Sequence, residues 1–297
     1  MNKIIVIVGP TAVGKTKLSI ELAKKFDGEI INADSTQIFK GLDIATAKVT
    51  EKEKQNIPHH LFDIKDVTEN YTVYDYQKDG RYVINDILNR NKTPIIVGGT
   101  GLYIKALLYN YQFTDEDKYF NNYEDYTNQE LYDKLLSVDP NTTIHLNNRK
   151  RVVRALNYYE QNHEPLSKKK KADQELYDTI YIGLTTNRQT LYDRINQRVD
   201  DMVSNGLLDE AKKIYNSKIR TKAIITPIGY KELFPYFENK ESLDDCLDLI
   251  KKNSRKYAKR QYTWFNNQMN IRWFEVDFNN FDNTVNAVEK YIKDVKN

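Results

Sequence analysis

The sequence predicts an α/β fold, a parallel sheet interrupted by a helical insertion, and three observations lead there. Five apolar residues, 4–8, run directly into a glycine-bearing loop and then into a helical pattern. Short apolar runs recur at 29–32, 94–97 and 179–184, each closed by polar or turn residues and separated by segments of helical period. Strands that alternate with helices build a parallel sheet covered on both faces. From about residue 111 to 178 the pattern changes: helical periods appear at 129–137 and 148–161, without a strand pattern.

Taken in order, 4–8 is a strand and 15–26 the helix after the loop. Then come a strand at 29–32, a helix at 74–89 and a strand at 94–97. The insertion follows, then a strand at 179–184 and helices at 190–204, 207–216 and 242–265. The alternating run "IRWFEVDF" reads as a last strand. This gives a core first part over 1–111, a helical insertion domain over 112–178, and a core second part with basic C-terminal helices over 179–297.

The chain has 297 residues, of which 40% are hydrophobic and 29% charged. That suits one large domain, or a core with an appendage, under a charged surface. The single cysteine, Cys246, excludes an internal disulfide and suits a reducing compartment. Without a secretory pattern or an apolar run near the ~20 residues of a membrane span, a cytoplasmic protein without membrane contact is expected, and a monomer. The net charge is +3, but its distribution is uneven. Acids crowd 114–133 (Asp115, Glu116, Asp117, Glu124, Asp125, Glu130, Asp133, against Lys118). Basic clusters follow at "RKRVVR" (149–154), "KKKK" (168–171) and "KKNSRKYAKR" (251–260). One such cluster is commonly a solvated face; three, interleaved with tyrosines, point to a nucleic acid partner.

The loop Gly9-Pro10-Thr11-Ala12-Val13-Gly14-Lys15-Thr16 matches G-x-x-x-x-G-K-[ST] in its strand–loop–helix setting. Glycines let consecutive backbone N–H groups curl around phosphate oxygens, and the helix points its positive end at them. Lys15 adds a mobile charge, and the Thr16 hydroxyl can hold Mg²⁺. A P-loop NTPase-like core follows. An acid that would position water for hydrolysis is missing: the strand 94–97 ends in Gly98-Gly99-Thr100-Gly101, read as a second flexible, N–H-rich turn at the ligand-binding edge. Two such loops without that acid suggest a diphosphate held as a leaving group.

Three further stretches carry chemistry. In "INADSTQIF", Asp34 follows a strand and shares the edge of the phosphate loop, as a proton acceptor or as a helix N-cap. In "LYDRINQRVDDM", Arg194 and Arg198 share one helix face, free to fork onto phosphate or to pair with Asp193, Asp200 or Asp201. In 242–265 a stripe of Lys251, Arg255 and Lys259, with Lys252, Lys256 and Arg260 beside it, could grip an RNA backbone, while the aromatics at 262–265 read as core. His59, His60, His145 and His163 have no metal-ligand spacing with Cys246. On these residues alone a small-metabolite kinase, an isopentenyltransferase of free adenine nucleotides and a nucleotide-sensing RNA-binding protein stay open.

Together the stretches "GPTAVGKT", "NADSTQIFKGLDIATAK", "PHHLFDI", "VGGTGLYIKALL", "VDPNTTIHLNNRKRVVRALN", "LYDRINQRVDDMVSNGLLDEAKKI", "IGYKEL" and "YAKRQYTWF" resemble the tRNA dimethylallyltransferase (IPP transferase) family, in the family's order from Gly9 to Phe265. The resemblance implies transfer of a prenyl group from dimethylallyl diphosphate to N6 of the adenine 3′ of the anticodon in tRNA. It makes Asp34 the general base and Thr16 the Mg²⁺ ligand. Lys15, Thr100 and Arg198 become diphosphate holders. Ser35, Thr36 and Gln37 line the nucleotide pocket, where Asp34 and Thr100 also contact the tRNA. The stretch Lys150, Arg151, Val152, Val153 and Arg154 and the turn Gly229, Tyr230 and Lys231 touch the tRNA. The phosphate loop alone would suit ATP; the resemblance puts dimethylallyl diphosphate there. Ala45, Val49, Leu146, Arg149 and the acidic, tyrosine-rich run 112–128 depart from the family's pattern, and no RNA contact is carried over to that run.

Overall fold

The computed structural model describes residues 3–113, 121–168 and 174–296. Asp115 to Lys118 in the acidic run and most of the 168–171 basic cluster therefore lie outside the described residues. The chain divides into two compact units: Met1–Tyr109 with Glu175–Asn297, and Asn110–Gln174.

The larger unit starts with β1 (Ile4–Val8), α1 (Lys15–Lys25), β2 (Gly28–Asn32), a short α2 (Glu51–Lys54) and β3 (His59–His60). Then come α3 (Val73–Asn89), β4 (Thr93–Val97) and α4 (Gly101–Leu108). The smaller unit holds α5 (Asn128–Val138) and α6 (Arg149–Asn162). The larger unit resumes with β5 (Thr179–Thr185), α7 (Arg188–Ser204), α8 (Leu207–Asn216) and the short α9 (Lys222–Ile225) and α10 (Phe234–Phe237). It ends with α11 (Leu243–Gln268), β6 (Arg272–Glu275) and α12 (Phe281–Lys296).

All six strands are parallel, in the order β3-β2-β4-β1-β5-β6. Central β1 reads IIVIV and is buried along its whole length, the β-branched, non-alternating pattern of a strand covered on both faces. Ile5 lies opposite Ile95 on one side and Ile180 on the other. One face packs under α1 and α12, where Leu18 and Leu22 meet Val285, Val288 and Ile292. Such residues each contribute about 1.5–3 kcal/mol when taken out of water.

The other face carries α3 and α4. A capping box opens α3, with Thr72 and Asp75 satisfying each other's backbone N–H groups. Gly80 lets α4 come close: a Cβ there would stand 2.7 Å from Leu107 Cδ1. Arg81 donates to the carbonyls of Ala106, Leu107 and Tyr109 at the C-terminal end of α4, where a cation complements the helix dipole. Tyr76 stacks on Tyr103 at 4.1 Å between ring centres, and its hydroxyl donates to Asn32 O at 2.9 Å. That bond pins the end of β2, the launching point for Asp34.

The strands expected at 4–8, 29–32, 94–97 and 179–184 are β1, β2, β4 and β5, and the last alternating run contains β6. The smaller unit packs α5 against α6 through Leu131, Leu135, Val152, Val153 and Leu156. Its limits fall slightly N-terminal of 112–178, because Tyr109 and Glu175 form an antiparallel bridge and Leu176 N–H donates to Leu108 O, which keeps 175–178 with the core. No helix among the described residues is long and apolar enough to cross a membrane.

Candidate active site

The site grows at the C-terminal ends of β1, β2 and β4, where ligands bind in open parallel sheets. From β1 comes the phosphate loop. Gly9 has φ 142° and Gly14 φ 100°, and even Ala12 sits at φ 65°. A Cβ on Gly9 would stand 2.6 Å from Leu184 O, so two constraints select glycine there. Gly14 is the N-cap of α1 and gives it no side-chain cap, which leaves the helix's first N–H groups turned to a ligand. Lys15 folds back on the loop, its ammonium donating to Gly9 O at 3.0 Å and Pro10 O at 2.7 Å. Burial pulls its pKa down to about 7; Arg198 pushes the same way and Asp34 opposes both.

From β2 comes Asp34. The Asn32 side chain grips the turn, its carbonyl accepting Asp34 N–H at 2.8 Å and its amide donating to Asp34 O and Leu61 O. Asp34 Oδ1 accepts the Thr36 N–H at 2.9 Å and hydroxyl at 2.7 Å. This is a side-chain-closed turn, and residues 35–39 are not helical, so Asp34 is no helix cap. From β4 comes Thr100, whose Oγ1 accepts Ser35 N–H at 3.1 Å and donates to Ser35 Oγ at 3.3 Å.

These residues wall two cavities. One, of about 940 Å³, is lined by Thr11 to Lys17 along with Asp34, Gln37 and Arg198. The other, of about 410 Å³, is lined by Asp34, Ser35, Thr36, Thr100, Arg198 and the Trp264 ring among others. Thr11, Asp34, Thr46, Arg198, Tyr257 and Gln261 border both. Asp34 and Arg198 thus stand in a shared wall, and burial lowers the Arg198 pKa while Asp34 holds it up.

Several expectations need correction. Gly98, Gly99 and Gly101 form a packing joint, not a second phosphate cradle: a Cβ would stand 2.2 Å from Ala33, 1.9 Å from Gln261 Nε2 and 2.0 Å from Trp264 Cε3 respectively, and Thr100 N–H is taken by Ala33 O. Thr100 lines the smaller cavity with Asp34, Ser35, Thr11 and Arg198, whereas Lys15 lines the larger. Arg194 pairs with no aspartate; its Nε donates to Ala12 O at 3.0 Å and its guanidinium lies 3.9 Å from the centre of the Phe278 ring, so it braces the phosphate loop while bordering the larger cavity. In the 251–260 stripe, Lys251 pairs with Asp200 at 2.7 Å and Arg255 donates to Asn196 at 2.6 Å, so both fasten α11 to α7. Lys252, Lys256, Lys259 and Arg260 remain exposed.

The expected tRNA-contact residues divide by burial. Lys150, Arg151 and Arg154 are exposed, whereas Val152 and Val153 are 1% and 7% exposed in the core of the smaller unit. Tyr230 is 0% exposed and donates its hydroxyl to Glu210 at 2.7 Å. Gly229 is buried at φ 124°, where a Cβ would stand 2.9 Å from Ala45 Cβ. Val152, Val153, Gly229 and Tyr230 are therefore scaffold, and only Lys231 of that turn is exposed. Glu210 in turn accepts the N–H groups of Asp43, Ile44 and Ala45, fixing the loop whose Thr46 and Ala47 carbonyls hold the Gln37 amide.

Sequence reasoning missed Tyr257, Gln261 and Trp264 as site residues. With Ile250 and Ser254 they line the cavities from one side of α11. The signal was a second helical face at 250, 254, 257, 261 and 264, opposite the basic stripe.

A family model described as IPP transferase matches residues 37–268. The chain belongs to that family. The tRNA dimethylallyltransferase of Anoxybacillus flavithermus is 48% identical over 300 residues, 98% of this chain and 96% of the relative. The Enterococcus faecalis enzyme of the same name is 48% identical, over 93% and 92% of the two chains. Among solved structures, the tRNA Δ2-isopentenylpyrophosphate transferase of Staphylococcus epidermidis superposes with a TM-score of 0.75 at 43% identity, over 99% of each chain. A eukaryotic dimethylallyltransferase acting on tRNA reaches 0.81 at 32% identity, over 93% of this chain and 74% of its own. This family member is thus a transferase with a P-loop NTPase-like core.

Proposed function

We propose that the enzyme transfers a dimethylallyl group from dimethylallyl diphosphate to N6 of the adenine 3′-adjacent to the anticodon in tRNA, releasing diphosphate. One observation carries the reading: the shared wall of the two cavities holds a carboxylate and a guanidinium, with a phosphate loop on one side of it and Thr100 with Ser35 on the other. A donor diphosphate enters by the larger cavity and a nucleotide by the smaller.

The C1–O bond to diphosphate breaks, its electron pair leaving with the diphosphate, and the C1–N6 bond forms. Loop N–H groups, Lys15 and Arg198 take up the charge that grows on the leaving group; loss of one such donor typically costs about 10²–10³ in rate. The Asp34 carboxylate orients the adenine amine and accepts its proton. The adenine leaves its stack to reach the pocket, at a few kcal/mol, less in a single-stranded loop than in a duplex. Mg²⁺ fits the residues present: the Thr16 hydroxyl, on the phosphate loop, is exposed on the larger cavity. Mg²⁺ commonly takes one or two protein oxygens and completes its shell with phosphate and water, and bound there it would neutralise the diphosphate. Lys150, Arg151, Arg154 and Lys231 are the candidate phosphate contacts to tRNA. In this reading the enzyme works as a monomer.

Mass spectrometry of nucleosides from tRNA incubated with protein, Mg²⁺ and dimethylallyl diphosphate tests the reading. A gain of one five-carbon unit on adenosine is expected. Unmodified tRNA alongside steady ATP consumption would refute it.

A further inference from the structure

The strongest unassigned feature is one amide that ties three elements together. Gln261, 4% exposed on α11, accepts the Thr11 N–H of the phosphate loop at 3.0 Å through Oε1. Through Nε2 it donates to Gly99 O at 3.2 Å in the loop after β4. Gly99 has no side chain at the point where a Cβ would stand 1.9 Å from that same Nε2, so the glycine is the slot for the amide. The next residue, Thr100, is bonded to Ser35, and Ser35 follows Asp34. An unbroken chain of bonds therefore runs from the leaving-group cradle through Gln261 to the wall that carries the carboxylate.

We infer that Gln261 is a positioning residue that sets the separation between the phosphate loop and the Thr100–Asp34 wall, and so aligns the departing diphosphate with the attacking amine. The inference rests on the prenyl-transfer reading. The amide is suited to the task because it offers one acceptor and one donor in a fixed fork without charge. Gln261→Leu leaves the part-buried Thr11 N–H and the buried Gly99 carbonyl without this partner, and the two loops lose their common tie. Gln261→Glu keeps the acceptor for Thr11 but sets a carboxylate oxygen against Gly99 O. Protonated, that carboxyl has both a donor and an acceptor again and reproduces the amide.

Single-turnover prenyl transfer by wild type, Gln261→Leu and Gln261→Glu, followed from about pH 8 down to about pH 6, tests this. Affinity for inorganic diphosphate is measured alongside. Gln261→Leu is expected to slow transfer about 10²-fold, the scale of a misplacement of about 1 Å, with diphosphate affinity within about threefold of wild type. The rate of Gln261→Glu relative to wild type is expected to climb at least about tenfold across that range as its carboxyl takes up a proton. A Gln261→Leu rate equal to wild type, or a Gln261→Glu ratio flat with pH, overturns the inference; should the leucine variant not fold, the glutamate ratio decides alone. A wild type that transfers no prenyl group overturns instead the reading beneath it.

Discussion

Lys15 gives the sharpest prediction, because its ammonium is held by carbonyls of its own loop and its pKa is pulled to about 7 by burial and Arg198. A diphosphate in the cradle favours the charged form, so binding takes up a proton wherever the empty enzyme has lost it. The sign follows: below pH 7 Lys15 is already charged and affinity is independent of its titration, whereas above pH 7 affinity falls. Each pH unit above the pKa lowers the charged fraction about tenfold, so by pH 8 binding weakens about tenfold and by pH 9 about 10²-fold. Calorimetric titration with inorganic diphosphate from pH 6 to pH 9, repeated with Lys15→Met, isolates the lysine from titration of the ligand. The difference between the two slopes should be one proton. Parallel slopes for wild type and Lys15→Met would refute the reasoning.

Four other outcomes are expected. Asp34→Ala should lower turnover by about 10²–10⁴ while tRNA still binds, measured with radiolabelled donor; near-normal turnover removes Asp34 from its role. Arg198→Ala should raise the KM for dimethylallyl diphosphate about 10–10²-fold, the worth of a charge-assisted bond, more than it changes KM for tRNA. Tyr230→Phe should cost about 1–2 kcal/mol of stability by denaturant titration, since Glu210 loses a donor, with tRNA affinity unchanged. Gly98→Ala should destabilise by about 3 kcal/mol or more, because the new Cβ stands 2.2 Å from the Ala33 backbone, read as a fall in Tm.

How much was legible depends on whether a signal was local. The phosphate loop was, since its spacing and its strand–helix flanks are contiguous, and β1, β2, β4 and β5 announced themselves as apolar runs. Helix α4 was not: Gly101–Leu108 is buried on nearly every side, so it has no amphipathic period, and its opening glycines looked like a turn. The two-residue β3 is too short for any period. Helix α12 had one, with Phe281, Val285, Val288 and Ile292 facing the core, beyond the final alternating run. In the site, Lys15, Asp34 and Arg198 were readable as residue types in context. Gln261 and Glu210 were not, because Thr11 lies 250 residues from Gln261 and Ala45 165 residues from Glu210. Burial of Val152, Val153 and Tyr230 was equally hidden: a basic or aromatic motif does not reveal which of its members point inward.

The bridge between Tyr109 and Glu175, reinforced by the Tyr109 hydroxyl donating to the Glu175 carboxylate at 2.8 Å, has a consequence for how this chain can diversify. Departure and return occur side by side, so everything from 110 to 174 is a detour whose ends are already clasped. Loop-closure entropy rises only slowly with length. The detour can therefore grow or shrink with little tension passed to the sheet that carries the phosphate loop.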